Sequence, residues 1–252
     1  MMTLAEIEVK LPEGQILNQS LGSVFQGALI REISPEWASS MHEQKVRPYS
    51  QYLTVEDGKP LWRIAVLTED AFDHIMVPVM KLSSLHLEQR NCDISLSNFH
   101  ILKTGTFKEL EEQFWANSEK IHHIEMNFLT STSFKTHGTY AIFPEPALLF
   151  NTLIRKWNAY SDSSVLGEAH MGEHLAECME ITDYRLHTHP YSLEGRRIRA
   201  FRGSIRLGLF KNDVTPRMAS MLSSFAEFAG TGMKTAMGMG GTTVEISRYR
   251  KE

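Results

Sequence analysis

Two groups of residues in this 252-residue chain have types and spacing that could do chemistry. The first is Gly230-Thr-Gly232-Met-Lys234-Thr235-Ala-Met-Gly238-Met-Gly240-Gly241, five glycines in twelve residues with a lysine among them. Glycine loses the most backbone entropy on folding, so such density marks a backbone that takes positive φ or comes close to a ligand. Backbone N–H groups beside one lysine suit a phosphate. The spacing is wrong for a mononucleotide loop, where Lys-Ser/Thr directly follows the second glycine. It is also too late for a dinucleotide fingerprint, since twelve residues remain after Gly240. A glycine-rich hairpin or bulge of structural use is the competing reading.

The second group is arginine. Arg185, Arg196, Arg197, Arg199, Arg202 and Arg206 fall in 22 residues that hold a single acid, Glu194, and no lysine. Planar guanidinium forks favour bidentate recognition of phosphates or base edges, although a solvated strand face would look similar. The charge is uneven along the chain as well. Residues 1–120 carry 11 Lys+Arg against 17 Asp+Glu, and residues 121–252 carry 15 against 13, so the acidic total of −4 hides a basic second half. His170-Met-Gly-Glu173-His174 spells the inverted zincin pattern, but Gly167 and Gly172 weaken the regular helix such a site needs. No metal is expected there. His187 and His189 alternate on a strand, and contact with RNA or solvent fits them better than ligation.

These groups need a scaffold. Hydrophobic content of 42% and charged content of 22% are those of a globular protein with a sizeable core. No apolar run approaches a membrane span and the first residues do not form a signal peptide, so a cytoplasmic protein without a membrane partner is expected. Two cysteines, Cys92 and Cys178, argue against a disulfide framework. Leu4–Leu11 alternates as a strand, and Ser20 can cap a helix to Glu32. Ser34-Pro35 opens a second helix ending near His42, and Tyr49–Val55 and Leu61–Thr68 form a hairpin. A helix over Asp70–Leu82 and strand over Leu85–Leu102 follow. The order then recurs: strand Ile121–Leu129, helix Glu145–Tyr160, strands Cys178–His189 and Arg197–Phe210, helix Pro216–Phe228, and strand Thr243–Arg248. Each half is β-α-β-β-α-β. The predicted fold is α+β, two tandem ferredoxin-like (RRM-like) domains at 1–118 and 119–252.

With the loop, the element order and the arginine strand in hand, the chain resembles one family. This is the CRISPR-associated endoribonuclease that processes precursor CRISPR RNA, the sixth-numbered Cas protein of the RAMP superfamily. The loop has the family's G-φ-G-x(5)-G-φ-G form, with Thr231 in place of the first hydrophobic residue. Met126–Lys135 is similar to its F-x-(S/T)-x-T-x-F-(K/R) segment, and Leu153-Ile-Arg-Lys-Trp157 and Phe201-Arg-Gly203 are further matching patterns. Met41-His42-Glu43 followed by Arg47-Pro-Tyr-Ser resembles its Leu-His, then basic-Pro-aromatic-Ser/Thr, pattern. The resemblance implies metal-independent cleavage of CRISPR repeat RNA by its own 2′-OH, leaving a 2′,3′-cyclic phosphate and a 5′-OH, with no cofactor.

Alone, His42 reads as a surface or capping residue. The resemblance makes it the catalytic histidine, and imidazole titrates where such proton transfer is needed. Lys45 and Arg47 compete to stabilise the phosphorane. The tyrosine that some relatives place upstream is missing from 14–41, leaving Ser39, Ser40, Tyr49 or Tyr52 as substitutes. Gly230, Gly232, Lys234, Thr235, Gly238 and Gly240, with Arg197, Arg199, Arg202 and Arg206, are expected to bind RNA. Expected partners are precursor and mature guide RNA and other Cas proteins of an effector complex, the chain being a monomer or homodimer. The alternatives are a non-catalytic RAMP-type RNA-binding subunit and, more remotely, a zinc hydrolase using His170 and His174.

Overall fold

Two antiparallel sheets organise the computed structural model, which describes residues 1–115, 121–167, 170–210 and 214–248, with only the backbone of His42 and Glu43. The first half runs β1 (Met2–Lys10), α1 (Gly22–Glu32), α2 (Pro35–Glu43), β2 (Tyr49–Glu56) and β3 (Lys59–Val66). The short α3 (Glu69–Ala71) and α4 (Val77–Val79) follow, then β4 (Ser84–Leu87) and β5 (Cys92–Gly105). Its strand order is β2-β3-β1-β5-β4. After α5 (Phe107–Trp115) come β6 (Ile121–Thr132), the hairpin β7 (Phe134–Thr136) and β8 (Thr139–Ala141), α6 (Pro146–Tyr160) and α7 (Met171–Ala176). The second half ends with β9 (Met179–Thr188), the hairpin β10 (Tyr191–Leu193) and β11 (Arg196–Ile198), β12 (Phe201–Leu209), α8 (Val214–Ala229) and β13 (Thr242–Arg248). Its main sheet is ordered β13-β6-β12-β9. Taking β5 as the fourth strand of the first sheet, both sheets have the 4-1-3-2 order of a ferredoxin-like fold.

Local chemistry accounts for most element ends. Ser34 accepts a hydrogen bond from the Trp37 N–H ahead of Pro35, which suits a first helical turn. Upstream, Asn18 rather than Ser20 supplies the cap, accepting from the Ser20 N–H at a 3-10 turn that leads into α1. The expected helix over Asp70–Leu82 forms as one continuous helical run from α3 through α4, widened by a π turn over Phe72–Met76, and Pro78 supplies no N–H to its ladder. The expected strand over Arg197–Phe210 is divided. Glu194 and Gly195 both take positive φ, 48° and 75°, folding β11 back on β10 as a two-residue hairpin before β12 begins.

The halves share their interiors. Met2, Leu4 and Ala65 of the first sheet, with Leu67 just past β3, pack into the core built by α6, α8 and the second sheet. Phe107, Leu110 and Phe114 of α5 enter the same core, while Ala236 enters the first one. The expected division between residues 118 and 119 falls on 116–120, outside the described residues. No helix among the described residues is long and apolar enough to cross a membrane.

Candidate functional site

The glycine-rich loop grips the edge strand of the first sheet. Gln51 and Tyr52 are neighbours on β2 and point to opposite faces. Gln51 donates to the carbonyls of Gly22, at 2.7 Å, and of Ala236, at 3.0 Å, while its own oxygen accepts from Trp62 Nε1. On the other face, a Cβ added to Gly241 would lie 2.6 Å from the Tyr52 ring. Gly238 has φ 97°, and a Cβ there would meet the Gly22 Cα at 2.8 Å. The close approach that the glycines permit is therefore an approach to protein.

This corrects the expectation of a phosphate cradle. Gly230, Gly232, Gly238, Gly240 and Thr235 are buried. The N–H groups of Gly230, Thr231, Met233 and Gly240 donate to the carbonyls of Ala226, Gly240, Ser133 and Ser131. The N–H of Gly241 donates to Thr130 Oγ1. Lys234 stays half-exposed, with its ammonium directed at Met237 Sδ.

Behind the loop lies a residue that sequence reasoning missed. Lys156 on α6 is buried, and its ammonium donates to the carbonyls of Ala229 and Gly230 and to Thr235 Oγ1. It caps the carboxyl end of α8, where the helix dipole favours a cation. Burial, with Arg155 nearby, pulls it down to about 7. One turn further along α6, the Tyr160 hydroxyl donates to the Val46 carbonyl and reaches Gln44 Oε1 at 3.2 Å. Burial pushes the Tyr160 phenol up to about 12, so it stays protonated.

Tyr160 therefore touches the stretch that holds the expected catalytic group. His42 lies in the last turn of α2, and its side chain is outside the described residues. Lys45 is exposed, and Arg47 is half-buried with Nη1 on the Gln44 carbonyl at 3.2 Å. Among the expected substitutes for the missing tyrosine, Tyr49 and Tyr52 are buried, at 1% and 4% exposure, too enclosed to serve a substrate. Ser40 donates to the Trp37 carbonyl, and Ser39 is exposed.

The arginines divide by location. Arg197, on β11, and Arg199 are exposed beside the β10–β11 hairpin. On β12, Phe201, Ile205 and Leu207 point into the core, which leaves Arg202, Ser204 and Arg206 on the open face. Arg202 lies opposite His187, and Ser204 lies opposite both Arg185 and Asn127. Arg202 also lines a cleft of about 520 Å³ with His189, Gln19, Leu53 and Thr54, so that both halves contribute. His189 meets the buried Ser131 hydroxyl at 2.8 Å, and burial, then Arg202 and His187, hold its ring below the usual histidine range. Arg206 differs. It pairs with Glu125 at 3.0 Å and faces Asp183 across the ladder, so neighbouring carboxylates partly offset its charge.

The inverted zincin pattern is not presented on a helix. His170 has φ 81° and stands ahead of α7, while His174 lies within it, 3.8 Å from Glu177. Among the described residues, no three His, Cys, Asp or Glu side chains converge as a metal site.

Known proteins are similar along most of this length. The sequence profile described as CRISPR-associated endoribonuclease Cas6 matches residues 126–242. A CRISPR-associated endoribonuclease Cas6 from Streptococcus thermophilus is 29% identical over 227 residues, 90% of this chain and 92% of that protein. One from Mycobacterium tuberculosis is 27% identical over 241 residues, 95% of this chain and 76% of its own. Among solved structures, a Cas6 product complex superposes with a TM-score of 0.79 at 22% identity, covering 97% of this chain and all of that one. Thermus thermophilus Cas6 gives 0.74 at 23% identity, with 97% and 98% covered.

Proposed function

We propose that the chain is a Cas6-type CRISPR-associated endoribonuclease and that it cuts CRISPR repeat RNA in precursor transcripts by a metal-independent transesterification in the cytoplasm. The repeat's 2′-OH attacks the adjacent phosphate and the 5′-oxygen leaves, giving a 2′,3′-cyclic phosphate and a 5′-OH. His42 carries the proton transfer at the end of α2. Lys45 and Arg47, three and five residues on, supply positive charge to the phosphorane. The first half thus contributes the chemistry.

The second half contributes the grip. Arg185, Arg202, Arg197 and Arg199 meet phosphates or base edges along the open sheet face and the β10–β11 hairpin, with Lys234 adding a contact from the loop. The buried glycines serve by holding the halves in register. Other Cas proteins would receive the mature guide RNA. The observation that carries this reading is that the match to proteins named endoribonucleases covers 90% and 95% of this chain, and so extends well beyond the glycine-rich half.

Cleavage of a repeat RNA by wild type and His42→Ala, each with and without EDTA, tests it. Cutting that persists in EDTA and disappears in His42→Ala is expected. Loss of activity in EDTA would overturn the metal-free step. An RNA that is bound but not cut by wild type would leave a RAMP-type binding subunit.

A further inference from the structure

Lys156 and Tyr160 lie four residues apart on α6, so their side chains project from one face of the helix, a turn apart. One reaches the glycine-rich loop and the carboxyl end of α8 through three oxygens, those of Ala229, Gly230 and Thr235. The other reaches the segment after α2 through the Val46 carbonyl and the Gln44 side chain. These contacts are remote in sequence, spanning 79 residues from Lys156 to Thr235 and 114 from Tyr160 to Val46. A single helical turn therefore joins the clamp around β2 to the stretch that follows His42.

The segment between α2 and β2 needs such a tie. Gln44 and Lys45 are exposed, and Val46 and Arg47 only half-buried. Its internal bonds are short-range, from the Gln44 N–H to the Met41 carbonyl and from Arg47 Nη1 to the Gln44 carbonyl, and at its far end the Pro48 carbonyl accepts from the Leu67 N–H at 2.8 Å. Tyr160 bonds the backbone here, so it bears on position whatever side chains the segment carries. Its phenol remains protonated across the working pH range, which suits a fixed donor and not a proton shuttle.

We propose that α6 is a strut between the two functional stretches, in which Tyr160 is a positioning residue for the His42–Arg47 segment and Lys156 anchors the same helix to the glycine-rich loop. The inference rests on the proposed role of His42. Tyr160 has no part in the chemistry and acts through the backbone that carries His42, Lys45 and Arg47. A displacement of that backbone by 1 Å is enough to cost roughly a hundredfold in rate.

The test is single-turnover cleavage of a repeat RNA, with affinity measured separately, for wild type, Tyr160→Phe, Lys156→Met, the double variant and His42→Ala. Tyr160→Phe deletes one oxygen, and a melting curve checks that it folds; Lys156→Gln replaces Lys156→Met if the latter does not. For Tyr160→Phe the expected result is a fall of about tenfold in cleavage rate, an RNA Kd within about twofold of wild type, and an unchanged shape of the pH–rate profile. Lys156→Met should slow cleavage too, and the double variant should lose less than the product of the single losses, because one helix mediates both. A wild-type rate in Tyr160→Phe overturns the strut, as do a Kd that weakens in step with the rate, an altered pH profile, or losses that multiply. If His42→Ala cuts like wild type, the catalytic reading falls. If His42→Ala is inactive while Tyr160→Phe is unimpaired, only the strut falls.

Discussion

The two sheets have the same strand order but opposite second faces. In the first sheet, β1 and β3 turn Met2, Leu4 and Ala65 towards α8, and β2 offers Ser50 to the Phe228 carbonyl and Tyr52 to Gly241. That face is covered by the other half of the molecule. In the second sheet, the corresponding face carries Arg185, His187, Arg202 and Asn127, and the first half meets it at the cleft that Gln19, Leu53 and Thr54 line with Arg202. One topology thus serves as a docking surface for protein in one copy and as a polar platform in the other. Fold alone decides neither; the side chains on alternate strand positions do.

The largest expected effect comes from forcing the covered junction apart. Gly238→Val places a Cβ 2.8 Å from the Gly22 Cα at φ 97°, and overpacking with left-handed strain should cost about 4 kcal/mol. Because the cores interlock, chemical denaturation should show both halves weakened in a single transition. Two separate transitions would mean that the junction is looser than its packing implies. Gln51→Ala comes next: it leaves two carbonyls and the Trp62 N–H without their buried partner, a loss of about 3 kcal/mol.

Lys156 tests the same junction through pH. Its folded value of about 7 lies below the ordinary lysine value of about 10.4. Between the two, the unfolded chain binds a proton that the folded chain lacks, so stability rises with pH across that window and is flat below it. Melting temperatures of wild type minus Lys156→Met should therefore climb from pH 7 to pH 9. A flat difference would show that the three oxygens around the ammonium offset its burial. On the open face, effects on stability should be small and effects on RNA specific. Arg185→Ala and Arg202→Ala should each change stability by no more than about 0.5 kcal/mol, while lowering the salt dependence of RNA binding by about one contact. Arg206→Ala, already paired with Glu125, should change RNA binding least.

Much of this architecture was legible in the sequence because periodicity and capping are local. The order of strands and helices in both halves could be read off, and Ser34-Pro35 marked the start of α2. What could not be read depended on distant partners. Glycine density signals close backbone approach, yet it reads the same whether the neighbour is a phosphate or the Tyr52 ring. Arg206 looked as free as Arg202 because Glu125, its partner, is 81 residues away. Lys156 sat inside a recognised helix pattern, but the carbonyls it caps lie more than 70 residues downstream. Tyr160 was the last residue of an expected helix, and only the docking of the two halves brings it to Val46. His42 was singled out by the family pattern alone, since no local physical signal separates it from a capping histidine.

The clamp around β2 also bears on the order in which the molecule can be assembled. Gln51 finds its partner carbonyl 185 residues later, and Ser50 waits 178 for Phe228. During synthesis the first sheet therefore emerges with its outer strand bare and its second face uncovered, a template for pairing with other chains. Contacts of such sequence separation also slow folding. A segment made late thus seals one made early, so expression yield and chaperone demand should depend on the glycine-rich loop.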